Sequence, residues 1–128
     1  MDKKSQYLEL KDLEVYVVSR KYSSFAWNIY SRLNWQQKKI IGDQFIRSTD
    51  SISANIAEGY GRFHYLDKNK FYYNARGSLL ESRHWAGLML ERLIITKEEF
   101  SVVIRYFIDI SKMLNKLIKS QNNRKQQL

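Results

Sequence analysis

The sequence predicts an all-α fold, an antiparallel up-down-up-down four-helix bundle, and three observations carry that prediction. The 128 residues include no proline and only five glycines, which leaves few places for tight turns. Apolar residues recur every three or four positions along four long stretches. Capping-box patterns and short polar breaks separate those stretches. The length is near that of an ordinary domain, so one bundle is expected over residues 1–118, with a basic polar tail over 119–128.

Helix one is expected at about residues 12–33. Asp12 can cap it, Glu14 lies in its first turn, and Val15, Val18, Tyr22, Phe25, Ile29 and Leu33 form its apolar stripe. Helix two is expected at about 35–60, opened by Asn34 with Gln37 three residues on. Its stripe is Ile41, Phe45, Thr49, Ile52, Ile56, Tyr60 and Phe63. Gly59 and Gly61 mark either its end or a close backbone contact, with a turn near 61–66. Asp67 is the next cap, and Phe71, Ala75, Leu79, Ser82, Trp85, Met89 and Leu93 give helix three a buried stripe running to about Ile95. Thr96 with Glu99 repeats the capping-box pattern, and Phe100, Val103, Phe107, Ile110, Leu114 and Leu117 form a heptad seam ending near Ile118. The tail from Lys119 to Leu128 lacks acidic residues and reads as disordered or frayed. Short connections between such long rods force neighbours to run antiparallel.

Cysteine is absent, which excludes disulfides, thiolate zinc and thiol nucleophiles. Met1-Asp2-Lys3-Lys4-Ser5-Gln6 is followed by no apolar run, and no window approaches the roughly 18 apolar residues of a membrane span, so a soluble cytoplasmic protein is expected. Twenty-two Lys and Arg against thirteen Asp and Glu leave a charge of +9, which attracts polyanions, RNA or DNA first. Basic residues gather at Arg20 and Lys21, at Lys38 and Lys39, at Lys68 and Lys70, and along Lys112, Lys116, Lys119, Arg124 and Lys125. These are the candidate phosphate contacts. Most aromatic residues, Trp27, Trp35 and Trp85 among them, could stack on bases but read better as core; Tyr72 and Tyr73 beside Lys68 and Lys70 are the best placed to stack.

A non-enzymatic protein with no cofactor or metal is expected, because the parts for catalysis are missing. Histidine occurs only at 64 and 84, so any triad or cluster would have to use these two. Glu81 and His84 match the Glu-x-x-His ligand pair of di-iron bundles, but that chemistry needs a second such pair and none exists. They read as a surface or interface pair. Gly59-Tyr60-Gly61 is too short for a phosphate-binding glycine loop and follows a helix where a strand is required.

Along helix two, Ser51, Asn55, Glu58 and Arg62 recur at intervals of four, three and four, a polar stripe beside the apolar one. Ala54, Ala57, Gly59 and Gly61 keep the adjoining surface small, which lets another helix approach. Arg76, Gly77 and Ser78 repeat polar beside small on helix three. The expected pairing is Glu58 with Arg76 or Arg47, in a partly buried network that fixes helix register or a subunit contact.

The segment Ser51-Ile52-Ser53-Ala54-Asn55-Ile56-Ala57-Glu58-Gly59-Tyr60-Gly61-Arg62 closely resembles the signature of the four-helix-bundle proteins encoded in intervening sequences of bacterial large-subunit ribosomal RNA genes. Lys11-Asp12-Leu13-Glu14-Val15-Tyr16 is similar to that family's opening motif, and Phe71-Tyr72-Tyr73-Asn74-Ala75-Arg76-Gly77-Ser78-Leu79-Leu80-Glu81 to its third-helix motif. The resemblance covers about residues 8–118. It implies an antiparallel four-helix bundle that assembles into a ring-like homopentamer without assigned catalytic activity. A more distant likeness is to the accessory protein of diversity-generating retroelements, which partners a reverse transcriptase and binds nucleic acid. A basic ring, or a scaffold for a protein partner, is the function these likenesses imply. Two positions depart from the pattern: Arg83 stands where a second glutamate is usual, and Trp35 where proline is common.

Overall fold

A computed structural model describes residues 9–127, with side chains as far as residue 123. Its elements are a 3-10 turn at Leu10–Asp12, α1 (Glu14–Arg32), a composite rod α2, α3 (Tyr65–Glu91) and α4 (Lys97–Gln127). The rod α2 joins an α turn at Trp35–Gln37, a π-paired segment at Lys38–Gly42 and an α segment at Asp43–Tyr60. Each rod packs on the next in chain order and α1 also meets α4, so the four close into an antiparallel square. No strand occurs among the described residues, and the all-α bundle stands as expected.

Both capping boxes form. Asn34 Oδ1 accepts the Gln37 N–H at 2.8 Å while Gln37 Oε1 accepts the Asn34 N–H at 3.1 Å. At the start of α4, Glu99 N–H donates to Thr96 Oγ1 at 3.1 Å and Thr96 N–H donates to Glu99 Oε1 at 2.9 Å. Glu99 is held a second time by a bidentate Arg32 from the last turn of α1, whose Nη2 donates to Oε1 at 2.6 Å. That guanidinium keeps the Glu99 carboxyl below the usual carboxylate range.

Four boundaries depart from the sequence expectation. Asp12 caps nothing: it sits in the 3-10 turn, and Leu13 precedes α1 without a side-chain cap. Helix three begins two residues before Asp67, because His64 Nδ1 accepts the Leu66 N–H at 3.2 Å. It stops at Glu91 rather than Ile95, in a Schellman turn where Ile94 N–H donates to Met89 O at 2.8 Å and Leu93 N–H to Leu90 O at 3.0 Å. Leu93 occupies the left-handed position of that turn at φ 60, and it is 90% exposed instead of continuing the buried stripe. Phe63 leaves its stripe in the same way, 97% exposed in the turn after α2.

The fourth difference is the tail. Helix four runs past Ile118 to Gln127, where the sequence reads as disordered or frayed. The reason lies on α3, whose first turns extend beyond the expected bundle end: Asn69 Nδ2 donates to Asn122 Oδ1 at 3.0 Å and to Ile118 O at 3.4 Å, and Gln121 is buried. A long α3 needs a partner along its length, and polar residues supply it.

The core is mostly apolar, with a few buried polar side chains. Phe45, Ile52, Ile56, Ala75, Leu79, Met89, Val103, Ile110 and Leu114 are buried from every rod but α1, which adds Val15, Tyr22, Ala26 and Ile29. Among them lies a hydroxyl relay. Thr49 Oγ1 donates to Phe45 O at 2.7 Å, so its 2.6 Å contact with Ser82 Oγ must be accepted from Ser82. Ser82 in turn accepts from Tyr22 OH at 2.6 Å. Burial pushes the Tyr22 phenol up to about 12, which keeps it the donor at the head of the chain.

Small residues set the closest approaches. A Cβ on Gly59 would meet Tyr72 Cε1 at 2.8 Å and Lys68 O at 3.0 Å, so α2 and α3 touch through this glycine. Gly42 in the π segment similarly admits Leu33 and Tyr30.

Ser82→Ala leaves the buried Tyr22 hydroxyl without an acceptor and takes from Thr49 the bond it accepts, so it should lower the unfolding free energy by about 1–3 kcal/mol in a denaturant titration. Ser101→Ala, whose surface hydroxyl bonds only Lys97 O of its own helix, should stay within about 0.5 kcal/mol; equal losses would show the relay to be idle. Gly59→Ala gains helix propensity but overpacks against a carbonyl that cannot move aside, for a net loss of about 1–2 kcal/mol by the same titration. A gain in stability there would mean that the two helices separate freely.

Candidate nucleic-acid interface

Helical spacing turns scattered basic residues into a face. Lys112, Lys116 and Lys119 follow one another at four and three on α4, and Arg105 lies seven residues before Lys112. All four are exposed, opposite the buried Val103, Ile110, Leu114 and Ile118. One acid, Asp109, lies within the stripe. None of the four makes an ion pair among the described residues. Arg105 escapes a search for adjacent basic residues, but its heptad spacing from Lys112 is visible in the sequence. The side chains of Arg124 and Lys125 lie outside those described.

The other basic candidates divide by role. Arg20 and Lys21 are exposed on α1, with Arg20 Nη1 donating to Tyr16 OH at 3.1 Å. Lys38 Nζ stands 5.0 Å from the Tyr30 ring centre, and Lys39 Nζ 4.9 Å from that of Trp35. Lys70 is exposed. Lys68 is instead committed to the fold: its Nζ donates to Tyr60 O at 2.9 Å and to Gly59 O at 3.4 Å, which satisfies carbonyls at the end of α2. Tyr72, expected as a stacking residue, is 1% exposed, and burial pushes its phenol up to about 12. It is core, pressed on Gly59. Tyr73 is exposed, with Arg76 Cζ 4.9 Å from its ring centre.

The motif residues of α2 and α3 form contacts other than those expected. Glu58 pairs with neither Arg76 nor Arg47; its Oε1 accepts from Arg62 Nη2 at 2.5 Å, one turn along the same helix and half in solvent. Arg76 Nη1 donates to Asn115 Oδ1 at 2.9 Å, which ties α3 to α4. The link between α2 and α3 is a hydroxyl pair, Ser78 Oγ donating to Ser51 Oγ at 3.0 Å, and Ser51 also accepts from Asn55 Nδ2 at 3.0 Å. The expected pair does not form because Arg62 lies one turn from Glu58 and Asn115 of α4 takes the Arg76 guanidinium. Gly61 ends α2 at φ -76, in ordinary right-handed backbone.

On the outer side of α3 lies an open groove of about 740 Å³, lined by Gly77, Leu80, His84, Gly87, Leu88 and Phe100. A Cβ on Gly77 would meet nothing within 4 Å, and Leu80 is 59% exposed. Glu81 Oε2 accepts from Trp85 Nε1 at 3.1 Å, and the His84 ring meets the Trp85 ring edge-on at 4.9 Å. Among the described residues no three His, Asp or Glu side chains converge as metal ligands, and no helix is long and apolar enough to cross a membrane.

Comparison with solved structures finds a protein of unknown function from the S23 ribosomal protein family of Bacteroides thetaiotaomicron VPI-5482. The two share 28% identity at a TM-score of 0.78, over 85% of this chain and 98% of that one. Curated proteins give no significant match. Residues 11–116 match the family model described as the 23S rRNA-intervening sequence protein. That span takes in the opening motif, the α2 signature and the α3 motif, and the chain belongs to the 23S rRNA-intervening sequence protein family.

Proposed function

We propose that this protein is a non-enzymatic, RNA-binding bundle that engages phosphates through the outer face of α4. The observation that carries the reading is the exposed stripe of Arg105, Lys112, Lys116 and Lys119, unpaired among the described residues, on a chain of charge +9. Ammonium and guanidinium groups spaced along a straight rod meet a polyanion without reading its sequence. The Tyr22, Ser82 and Thr49 hydroxyls are spent on one another and on the Phe45 carbonyl.

A second reading is supported by the α3 groove: the working unit is a homo-oligomer, with the family resemblance implying a ring of five. Gly77 and Gly87 leave room for a helix to approach, and Leu80 offers an apolar contact that a lone subunit leaves in water. The same groove would serve a protein partner such as a polymerase, the role of an accessory scaffold.

Binding to a generic single-stranded RNA should weaken steeply as salt rises from about 50 to 200 mM. Replacing Arg105, Lys112, Lys116 and Lys119 by Gln should flatten the plot of log affinity against log salt by about 3, at roughly 0.7 per lost contact. An unchanged slope, or no binding at about 50 mM salt, would overturn the reading. For assembly, Gly77→Leu fills open space and raises helix propensity, so it should leave the subunit folded while reducing the particle mass measured by light scattering to that of one chain. An unchanged mass removes this groove as the contact between copies.

A further inference from the structure

We infer that the exposed corner where α1 meets the start of α2 is a stacking site for unpaired nucleobases, its occupant a single-stranded segment of nucleic acid. The inference rests on the RNA-binding reading and adds to phosphate attraction a site that holds bases by their faces. Two tryptophans stand out of the core here, Trp27 at 56% and Trp35 at 73% exposure. Leaving two indoles in water is costly unless something covers them.

Cations accompany these rings. Trp27 lies on Tyr30 with ring centres 5.4 Å apart, and Lys38 Nζ reaches the Tyr30 ring. Lys39 Nζ lies over Trp35. A base stacked on Trp35, or on the Trp27–Tyr30 pair, therefore has an ammonium group in the same aromatic cluster for its own phosphate, which is the pairing that sequence-tolerant single-strand binding uses. From Trp27 a shallow groove of about 450 Å³ continues between α1 and α2, lined by Arg20, Ser24, Asn28 and Asp50. Arg20 is seven residues from Trp27 on the same face of α1, about 10 Å along the axis. A strand laid in the groove would thus meet the Trp27 ring at one end and a guanidinium at the other, with hydroxyl and amide groups and the Asp50 carboxylate between them.

The platform is rigid before any ligand arrives. Tyr30 OH donates to Asp43 Oδ1 at 2.6 Å, and the Asn34–Gln37 capping box fixes the backbone beneath Trp35. Gly42 lets Leu33 and Tyr30 press onto the π segment that carries Lys38 and Lys39. A fixed platform loses little entropy on binding. Lys39 over Trp35 and Lys38 over the Tyr30 ring that stacks on Trp27 favour a polyanion over a protein surface as the occupant.

The test uses the full chain with a labelled unpaired oligonucleotide and a duplex of the same length. Trp27→Ala and Trp35→Ala should each weaken single-strand binding about 5-fold to 100-fold, with duplex affinity and the salt slope unchanged. Phenylalanine at either position should retain most of the affinity, and the wild-type tryptophan fluorescence should be quenched as the strand binds. RNA and DNA strands should lose equally, because base faces are common to both; a loss confined to one sugar would overturn stacking as the cause. Equal losses on single strand and duplex would overturn it as well. If the wild type binds steeply with salt and both alanine variants match it, stacking alone fails and the corner is left to a protein partner. If the wild type binds neither probe at about 50 mM salt, the RNA-binding reading fails first.

Discussion

Tyr22, Ser82 and Thr49 pass their hydroxyl protons in one direction to the Phe45 carbonyl, and the middle of the bundle is built around that chain. Apolar side chains alone would allow four rods to slide or rotate by a turn with modest loss, since one leucine-sized contact replaces another. A buried hydroxyl has no such freedom, because any shift leaves a donor or acceptor without a partner in a medium that cannot supply one. The relay therefore fixes α1, α2 and α3 in one register. Tyr106 of α4 joins by stacking on Tyr22, ring centres 5.1 Å apart. With the rods in register, the faces they turn to solvent have defined positions too, and the basic stripe becomes a surface property.

How far the sequence reveals this depends on the range of each interaction. Asn34 with Gln37 and Thr96 with Glu99 are legible because both halves of a capping box lie within one turn of chain. The apolar stripes of α1 and α2 are legible for the same reason: periodicity is local. Asp12 and Asp67 carry the right chemistry for caps, but the helices start elsewhere: at Leu13, which has no side-chain cap, and at His64, whose ring nitrogen caps in place of a carboxylate. The extension of α4 depends on Asn69, 53 residues from its partner Asn122, so no local signal in the tail could announce it. Glu58 fails as a long-range partner of Arg76 because a closer arginine sits one turn away and Asn115 is already waiting on α4. Of the candidate site, the charge and its heptad spacing are in the sequence, whereas the separation of Lys68 from the free cations is not: only the geometry brings its ammonium to the carbonyls of Gly59 and Tyr60.

The small residues show how one helix serves two neighbours. Gly42, early in α2, receives Leu33 and Tyr30 from the end of α1, and Gly59, near its end, receives Tyr72 and the backbone of α3. Each close approach has a lysine beside it. At the first, the π segment carries Lys38 and Lys39 beside aromatic rings; at the second, Lys68 turns its ammonium onto the Gly59 and Tyr60 carbonyls. Charged groups are left at the surface, paired locally as Glu58 is with Arg62 or left to the solvent as on α4.

A bundle of this kind presents its surface to a partner; it does not enclose one. The α3 groove and the α1–α2 groove both open to solvent, and the rods around them are held by caps and by the relay. Exposed cations on a single subunit bind a polyanion weakly at physiological salt, since each phosphate contact is traded against a released counterion. Affinity then has to come from repetition. Copies joined through α3 would set several α4 faces on one particle, and a polyanion held by one face would meet the next at high effective concentration. The proposed assembly and the proposed ligand depend on each other for this reason: a rigid basic rod gains useful affinity for RNA only when its neighbours point the same charge at the same strand.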